Sequence, residues 1–399
     1  MQGIVSRWAY KMKAYPHVSS QKSVLMACGP RGIEEQVARM SPVIQALVGQ
    51  LPEVLSYTRL HKWLGLRWSS SLALLEALHC MIQCASNKFI GIASLCVAGV
   101  LPLCYVGALF EAVVDGTMRF GRWLLITAPG AEQLLDDTYN AWARTLLGAC
   151  PWRSCARVVS ELGWCVSGAG RGVIDLAMKR ASLYALGQHD LYRVVFENAH
   201  IVSGDTFAKR GAALLARWGL ADFIAWKGPD ESLGAYKKYV TKEVTARCLE
   251  KWTQEVQKNR LPVNYITIRP NMSEDVQEGL THELPWFSMQ LQRSACRLRA
   301  NLLTFGHLGG KRSAARRQRC VFCEEPHLSS TFHVLCRCTH WEELRRLFWI
   351  TCGQDTPATQ EEQTIFILSS APGDPSYGVF LAWAGSLDRD TRAFWKGED

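Results

Sequence analysis

The stretch CVFCEEPHLSSTFHVLCRC, residues 320–338, places four cysteines and two histidines within nineteen positions. Cys320 and Cys323 form a Cys-x-x-Cys pair, whose tight turn can aim two thiolates at one ion. His333 and Cys338 supply a second half, which completes the spacing Cys-x2-Cys-x9-His-x4-Cys. Because all four candidate ligands come from the protein, the pattern predicts a closed, structural Zn2+ site and not a catalytic one.

Two further residues compete for places in this site. Cys336 is the alternative to Cys338 as the fourth ligand, and His327 is the alternative to His333 as the third. A chance grouping in a chain that contains 15 cysteines is the competing explanation of the whole cluster.

Positive charge is concentrated just before this cluster. The chain of 399 residues has a net charge of +9, and residues 293–319 contain eight Lys or Arg and no Asp or Glu. A basic block of this kind suits a polyanion such as nucleic acid, and a solvated basic loop is the alternative. The predicted nucleic-acid contacts are Arg293, Arg297, Arg299, Lys311, Arg312, Arg316, Arg317 and Arg319.

The cysteine content and the first residues indicate the compartment. The 15 cysteines are an odd number in a chain much longer than disulfide-stapled miniproteins, and residues 1–22 do not read as a signal peptide. We therefore expect an intracellular protein, nuclear or cytoplasmic and not secreted, in a reducing environment.

The one stretch that suggests a membrane is residues 89–110, which contain no charged residue. A helix of that length could just span a bilayer, but Pro102 falls inside it and should divide it into two core helices. A membrane partner is therefore not expected. The alternative is a helical membrane-associated protein that is anchored through residues 89–110.

Apolar periodicity predicts a chain that is mainly helical. Residues 18–26 and 54–68 are apolar, branched or aromatic runs and predict strands. From Ser71 onward, apolar residues recur at helical spacing. The predicted helices cover 71–89, 89–114, 130–148, 171–186, 205–226 and 236–256.

The residues after the cysteine cluster predict one helix and then little order. Thr339 and Glu342 have the spacing of a capping box, which predicts a helix over 340–350. Prolines recur in the last fifty residues, which we expect to be loosely built.

The order of several motifs resembles one protein family. RLRANLLTFGHLGG (297–310), the basic run and the C-x2-C-x9-H-x4-C cluster are together similar to the carboxy-terminal zinc knuckle of non-LTR (LINE-type) retrotransposon reverse transcriptases. VSSQKSVLM (18–26) resembles the palm strand that follows that family's catalytic aspartates, and YTRLHKWLGLRW (57–68) resembles the element that ends the palm. LPLCYVGALFEAVV (101–114) is similar to part of the thumb.

This resemblance implies a mainly α fold with short palm-remnant strands at the N-terminus, a helical thumb-like body and a small C-terminal zinc-knuckle module. The corresponding segments are a palm remnant over 1–70, a thumb-like region over 71–260, a basic linker over 261–319, a zinc knuckle with its following helix over 320–350 and a tail over 351–399.

The resemblance also implies RNA-directed DNA polymerase chemistry, which needs aspartates that hold two Mg2+ ions. The only Asp-Asp pair, Asp136-Asp137, lies in a helical pattern, and Asp115 is too close to it to be its partner. We expect all three to be surface or capping carboxylates and the chain to be inactive alone, with Mg2+ bound only if a complete palm were supplied. The alternative is an active polymerase with an unusual site, or one completed by another chain.

The expected partners are RNA, DNA and the missing polymerase portion. Lys22 matches the palm lysine that protonates the leaving pyrophosphate, and Lys62 could touch phosphate beside the primer. The aromatic residues Phe322, Phe332 and Trp341 could stack on bases, although a small zinc module needs them for its own core, which we favour.

Overall fold

The chain is described by a computed structural model. It describes residues 24–25, 56–57, 60–63, 66–69, 74–150, 154–226, 232–258, 265–268, 286–303, 320–323, 325 and 331–396. The chain divides into two compact units, Met1–Cys84 and Ala85–Asp399. The described part is mainly helical, as the periodicity predicted.

The first unit contains four short strands in the segments where strands were predicted. β1 (Val24–Leu25) pairs in parallel with β2 (Ser56–Tyr57). β3 (Leu60–Trp63) pairs with β4 (Leu66–Ser69) in antiparallel fashion, with Trp63 opposite Leu66. Nothing in these short pairs identifies them as parts of a palm.

The uncharged run over 89–110 does not form one helix. α1 (Leu74–Val97) ends before Gly99, whose φ of 73° lies in the left-handed region, and Pro102 precedes α2 (Leu103–Leu109). The predicted division at Pro102 is confirmed, because the proline cannot continue the preceding helix. An anchor made of a single helix over 89–110 is therefore not formed.

α1 is nevertheless long and apolar enough to cross a membrane, the one helix of the described residues for which this holds. Its most apolar 18-residue window has a mean hydropathy of 1.4, and 28% of that window is buried. Core helices of water-soluble proteins have the same length and composition, so this feature alone does not indicate a membrane protein.

A helical body follows α2. A π-helical segment (Phe110–Asp115) leads directly into α3 (Gly116–Leu125). The remaining helices of the body are α4 (Ala131–Leu147), α5 (Cys155–Glu161), α6 (Gly168–Tyr184), α7 (Leu191–Ile201), α8 (Phe207–Arg217), α9 (Leu233–Lys258) and α10 (Tyr265–Ile268).

Helix α6 is at the centre of this body and needs its glycines to approach its neighbours. A Cβ on Gly168 would lie 2.5 Å from the carbonyl oxygen of Leu135 on α4, and a Cβ on Gly172 would lie 2.9 Å from Ile126. Such contacts are closer than a Cβ atom allows. The absence of side chains at Gly168 and Gly172 therefore lets α6 pack this closely against its neighbours.

One acidic residue differs from its prediction. Asp115 is fully buried, and its carboxylate accepts hydrogen bonds of 2.5 Å from Arg122 and from Tyr139. Burial alone would raise the pKa of Asp115, but Arg122 and Arg171 outweigh it and lower the pKa to about 2. The expectation of a surface or capping carboxylate is wrong for Asp115, because its ionic partners come from α3 and α6.

The Asp-Asp pair lies where the sequence predicted. Asp136 accepts a hydrogen bond of 2.8 Å from the backbone N–H of Ala169 in the first turn of α6. Asp137 is on the surface and accepts a bond of 2.9 Å from Gln133. The side chain of Asp136, which lies on α4, therefore caps the N-terminus of α6, where a carboxylate is favourable.

The C-terminal part forms a second helical layer. Its elements are α11 (Trp286–Arg299), α12 (Thr331–Cys336), a 3-10 turn (Thr339–Trp341), α13 (Glu342–Cys352), α14 (Gln360–Ser369) and α15 (Tyr377–Lys396).

The expectation of a loosely built tail is wrong for residues 351–396. A capping box of Thr359 and Glu362 starts α14, and Phe380 and Trp383 on α15 are buried. The tail folds because α15 packs along α11 and shares one hydrophobic core with the cysteine cluster.

Candidate metal centre

The four predicted ligands converge on one point. One donor atom from each of Cys320, Cys323, His333 and Cys338 lies within 4.8 Å of the other three. The two Sγ atoms of Cys320 and Cys338 are 3.9 Å apart, and Sγ of Cys323 is 3.2 Å from Nε2 of His333. Tetrahedral Zn2+ with ordinary bond lengths places its donor atoms roughly 3.5 to 3.8 Å apart. The cluster could therefore hold a metal ion such as Zn2+.

Local backbone geometry brings the two halves together. The backbone N–H of Cys320 donates to the carbonyl of Glu325 at 3.1 Å, which closes the turn that carries Cys320 and Cys323. His333 lies on α12, and the backbone N–H of Cys338 donates back to the carbonyl of His333 at 2.8 Å. The chain thus reverses after α12 and returns Cys338 to the side of His333.

Backbone amides surround the sulfur atoms. A bond from Cys338 lowers the pKa of Cys320 to about 5 against the effect of burial, with further bonds from the backbone N–H groups of Phe322 and Cys323. The same hydrogen bond, together with burial, raises the pKa of Cys338. The N–H groups of Glu325 and His340 in turn approach the sulfurs of Cys323 and Cys338. N–H donors two residues after Cys320, Cys323 and Cys338 favour the thiolate, the form that binds a metal ion, although burial still raises the pKa of Cys323.

The structure distinguishes between the two cysteines that competed for the fourth place. Sγ of Cys336 lies against α14, 3.3 Å from Oγ1 of Thr364 and 3.5 Å from the carbonyl of Gln360. Cys338, and not Cys336, belongs to the cluster. The alternative third ligand, His327, lies outside the described residues.

The helix after the cluster is confirmed, but its predicted capping box is not formed. The 3-10 turn over Thr339–Trp341 comes first, and α13 begins at Glu342 without a side-chain cap. Cys338 directly precedes the 3-10 turn, and its side chain belongs to the cluster and does not cap the turn.

The aromatic residues of the module form its core, as favoured from the sequence. Trp341 is buried and meets the Phe322 ring edge-on at 5.2 Å, while Phe332 packs against the same core. Phe322 also stacks on the exposed ring of His340 at 5.7 Å. These rings support the Cys3His cluster from within the fold.

The Cys3His cluster is part of the C-terminal core, so the predicted knuckle over 320–350 does not fold as a separate module. Cys320 and Cys338 lie in one cluster of buried residues with Leu335 on α12, Phe348 on α13 and Trp383 on α15. Because these helices share the core, a metal ion here would hold the whole C-terminal layer together.

Three of the predicted nucleic-acid contacts are inside the fold. Arg293 donates at 2.7 Å to the carbonyl of Leu146 at the end of α4, and Arg297 forms an ion pair of 3.1 Å with Asp388 on α15. Burial, assisted by the nearby Arg297, lowers the pKa of Arg293 to about 10.

Arg299 is buried as well, donating at 2.9 Å to the carbonyl of Leu368 and lying 3.5 Å from Glu161. This placement corrects the assignment of Arg293, Arg297 and Arg299 to a nucleic-acid surface, because each guanidinium faces acceptors within the protein.

The other predicted contacts stay predictions. Lys62 is on β3 opposite Arg67. Lys22 and the basic run of Lys311, Arg312, Arg316, Arg317 and Arg319 lie outside the described residues.

A cleft of about 610 Å³ in the helical body had no signal in the sequence. Three tryptophans line it, Trp164, Trp218 and Trp252, together with two ion pairs. These pairs are Arg217 with Glu132 at 2.5 Å and Lys251 with Asp136 at 3.4 Å. The cleft residues come from positions 130–255, so only the tertiary fold could bring them together.

No protein-family profile matches the chain, and no similar protein was found among curated proteins or among solved structures.

Proposed function

We propose that this chain is the zinc- and nucleic-acid-binding C-terminal portion of a reverse-transcriptase-like (RNA-directed DNA polymerase) protein. In this proposal the strands are the end of a palm, the helical body is a thumb, and the cysteine cluster is a zinc knuckle. The observation that carries it is the Cys3His cluster directly after a basic run in the sequence.

The cluster gives the basic run a fixed end. Arg319 is adjacent to Cys320, which is buried and shared between the cluster and the core. A cation that is attached to a rigid point loses less conformational freedom when it meets a phosphate. Exposed Arg337 and His340, next to the cluster, would extend the same surface.

The zinc itself would have a structural role in this proposal. Four protein ligands leave no open position for a substrate or water, so the ion would neither bind a substrate nor activate a nucleophile. The surrounding loop would instead present its side chains in one arrangement to RNA or DNA.

Polymerase activity is not expected from this chain alone. Asp136 caps α6 and Asp115 is neutralised in a buried ion network, so neither is placed to hold Mg2+. Primer extension in the presence of Mg2+ should give no product unless another chain supplies the palm aspartates. Lys22 would then have a leaving group to protonate. We propose that the protein works in a reducing intracellular compartment, nuclear or cytoplasmic, because the chain contains 15 cysteines.

Replacing Arg316, Arg317 and Arg319 together by Gln should weaken RNA and DNA binding by about 10-fold or more near physiological salt, because three phosphate contacts are lost. The slope of log affinity against log salt concentration should become shallower by about 2 to 3. Fluorescence anisotropy with a labelled RNA hairpin and a labelled DNA duplex measures both quantities.

The matched control removes the same charge from elsewhere on the surface. Arg119, Arg217 and Arg389 have exposed side chains, and their joint replacement by Gln should leave the salt slope nearly unchanged. Equal effects of the two triple substitutions on affinity would show that binding depends on net charge alone and would contradict a specific role for Arg316, Arg317 and Arg319. Binding that is absent or independent of salt would overturn the proposed function.

A further inference from the structure

Helix α7 has an apolar face without a neighbour in the described part of the chain. Its other side packs through the buried ring of Phe196 against Leu183 on α6 and Ala208 on α8. The outer half, together with Val202 directly after the helix, carries six apolar side chains that are 37% to 80% exposed. These residues, called the α7 stripe below, are Leu191, Tyr192, Val194, Val195, Ile201 and Val202.

The α7 stripe contains no charged side chain. The two charged residues of this helix, Arg193 and Glu197, pair with each other at 2.8 Å. Arg193 also donates to the carbonyl of Leu186 on the packed side.

The nearest charges flank the stripe, since Asp190 accepts from the backbone N–H of Tyr192 and the ammonium of Lys209 donates to the carbonyl of Val202 at 2.7 Å. A face without charged side chains of its own offers little to a phosphate polymer or an anionic lipid surface. The partner that it fits is therefore another apolar protein surface.

The size of the stripe suits a protein interface. From the exposed fractions, the six side chains present roughly 600 Å² of surface, which is at the upper end of apolar patches on monomers. Two such faces would bury roughly 1,200 Å² between them, the lower end of the range for specific complexes.

We propose that the α7 stripe is the interface at which a second copy of this chain binds, so that the protein is a two-fold symmetric dimer. A two-fold interface brings one surface patch against itself, so the patch should have no cluster of like charges at its centre. The α7 stripe meets this requirement. Exposed Asn198 lies within it and can form an amide pair with its counterpart, as a single buried Asn does in helix dimers.

Sedimentation equilibrium of the full chain tests this proposal over a range of concentrations. The wild-type chain should dimerise, and Val195→Asp should raise the dimer dissociation constant by about 100-fold or more, because each copy would bury an unpaired carboxylate. Leu191→Asp, near the start of the helix, should act in the same direction. Both positions are exposed, so circular dichroism should show an unchanged helical content.

The matched control is Ile350→Asp. Ile350 on α13 is 61% exposed and Val195 is 59% exposed, so the two substitutions place the same charge in equally accessible positions. Ile350→Asp should leave the dissociation constant unchanged. A wild-type chain that stays monomeric at all concentrations would overturn the proposal, and so would a dimer that persists in Val195→Asp. Dimerisation and RNA binding of Val195→Asp are measured separately, so a failure of this proposal can be told apart from a failure of the proposed function.

Discussion

Removing the Zn2+ that the Cys3His cluster is proposed to hold should unfold α12 to α15, the part of the C-terminal layer that follows Cys323, while α4 to α6 stay folded. The cluster contributes Cys320 and Cys338 to the core that these helices share, and without a cation only hydrogen bonds, such as those between Cys320 and Cys338 and between Cys323 and His333, would join its halves. Structural Zn2+ binding typically supplies about 10 kcal/mol or more, which is comparable with the whole stability of a folded domain. Hydrogen exchange with mass spectrometry, with and without a strong chelator, measures the result.

The expected pattern is regional. Peptides from 331–396 should lose protection after chelation, whereas peptides from α4 and α9 should keep theirs and serve as the internal control. Cys338→Ser should reproduce the chelated pattern without a chelator. An unchanged exchange rate in 331–396 after complete metal removal would contradict a structural role for the cluster.

Replacing Arg122 by Met should lower the free energy of unfolding by about 3 to 5 kcal/mol, the usual cost of breaking a buried ion pair. Arg122 is buried and holds two carboxylates, Asp115 at 2.5 Å and Asp175 at 2.7 Å. Methionine would fill most of the space but would leave both acids without this partner. Urea denaturation at neutral pH measures the difference.

Arg119→Met is the matched control. Arg119 also pairs with Asp115, at 3.2 Å, but its side chain is 61% exposed, so its loss should cost less than about 1 kcal/mol. Equal effects of the two substitutions would contradict the assignment of Arg122 as the central partner.

The pH dependence gives a second check on the same network. The pKa of Asp115 is lowered from 3.8 to about 2, so its ionic contribution is present above pH 4 and is lost as the pH falls towards 2. The Arg122→Met variant lacks the strongest cause of this lowering. Its stability should therefore decline less than that of the wild type over this interval.

Local spacing predicted the features that depend on neighbouring residues. Tyr236, Val240, Val244, Trp252 and Val256 recur at helical spacing, and all five lie on the buried face of α9. The metal ligands were also predictable, because a short loop limits which cysteines and histidines can reach one point. The break at Pro102 follows from the chemistry of proline itself.

Features that depend on distant partners could not be predicted in this way. Arg297 and Arg299 look like surface cations in the sequence, yet their acidic partners are Asp388 and Glu161, about 90 and 140 residues away. The order of the last fifty residues likewise depends on α11, against which α15 packs. A charge count cannot show which charges are already paired inside the fold.

Metal content tests the central claim most directly, measured by inductively coupled plasma mass spectrometry on protein purified without added metal. The wild-type chain and Cys336→Ser should each carry one zinc per chain, since Cys336 lies outside the cluster. His333→Ala, which removes one of the four ligands, should carry much less than one. A wild-type chain without bound metal, or a His333→Ala chain that keeps its zinc, would contradict the account.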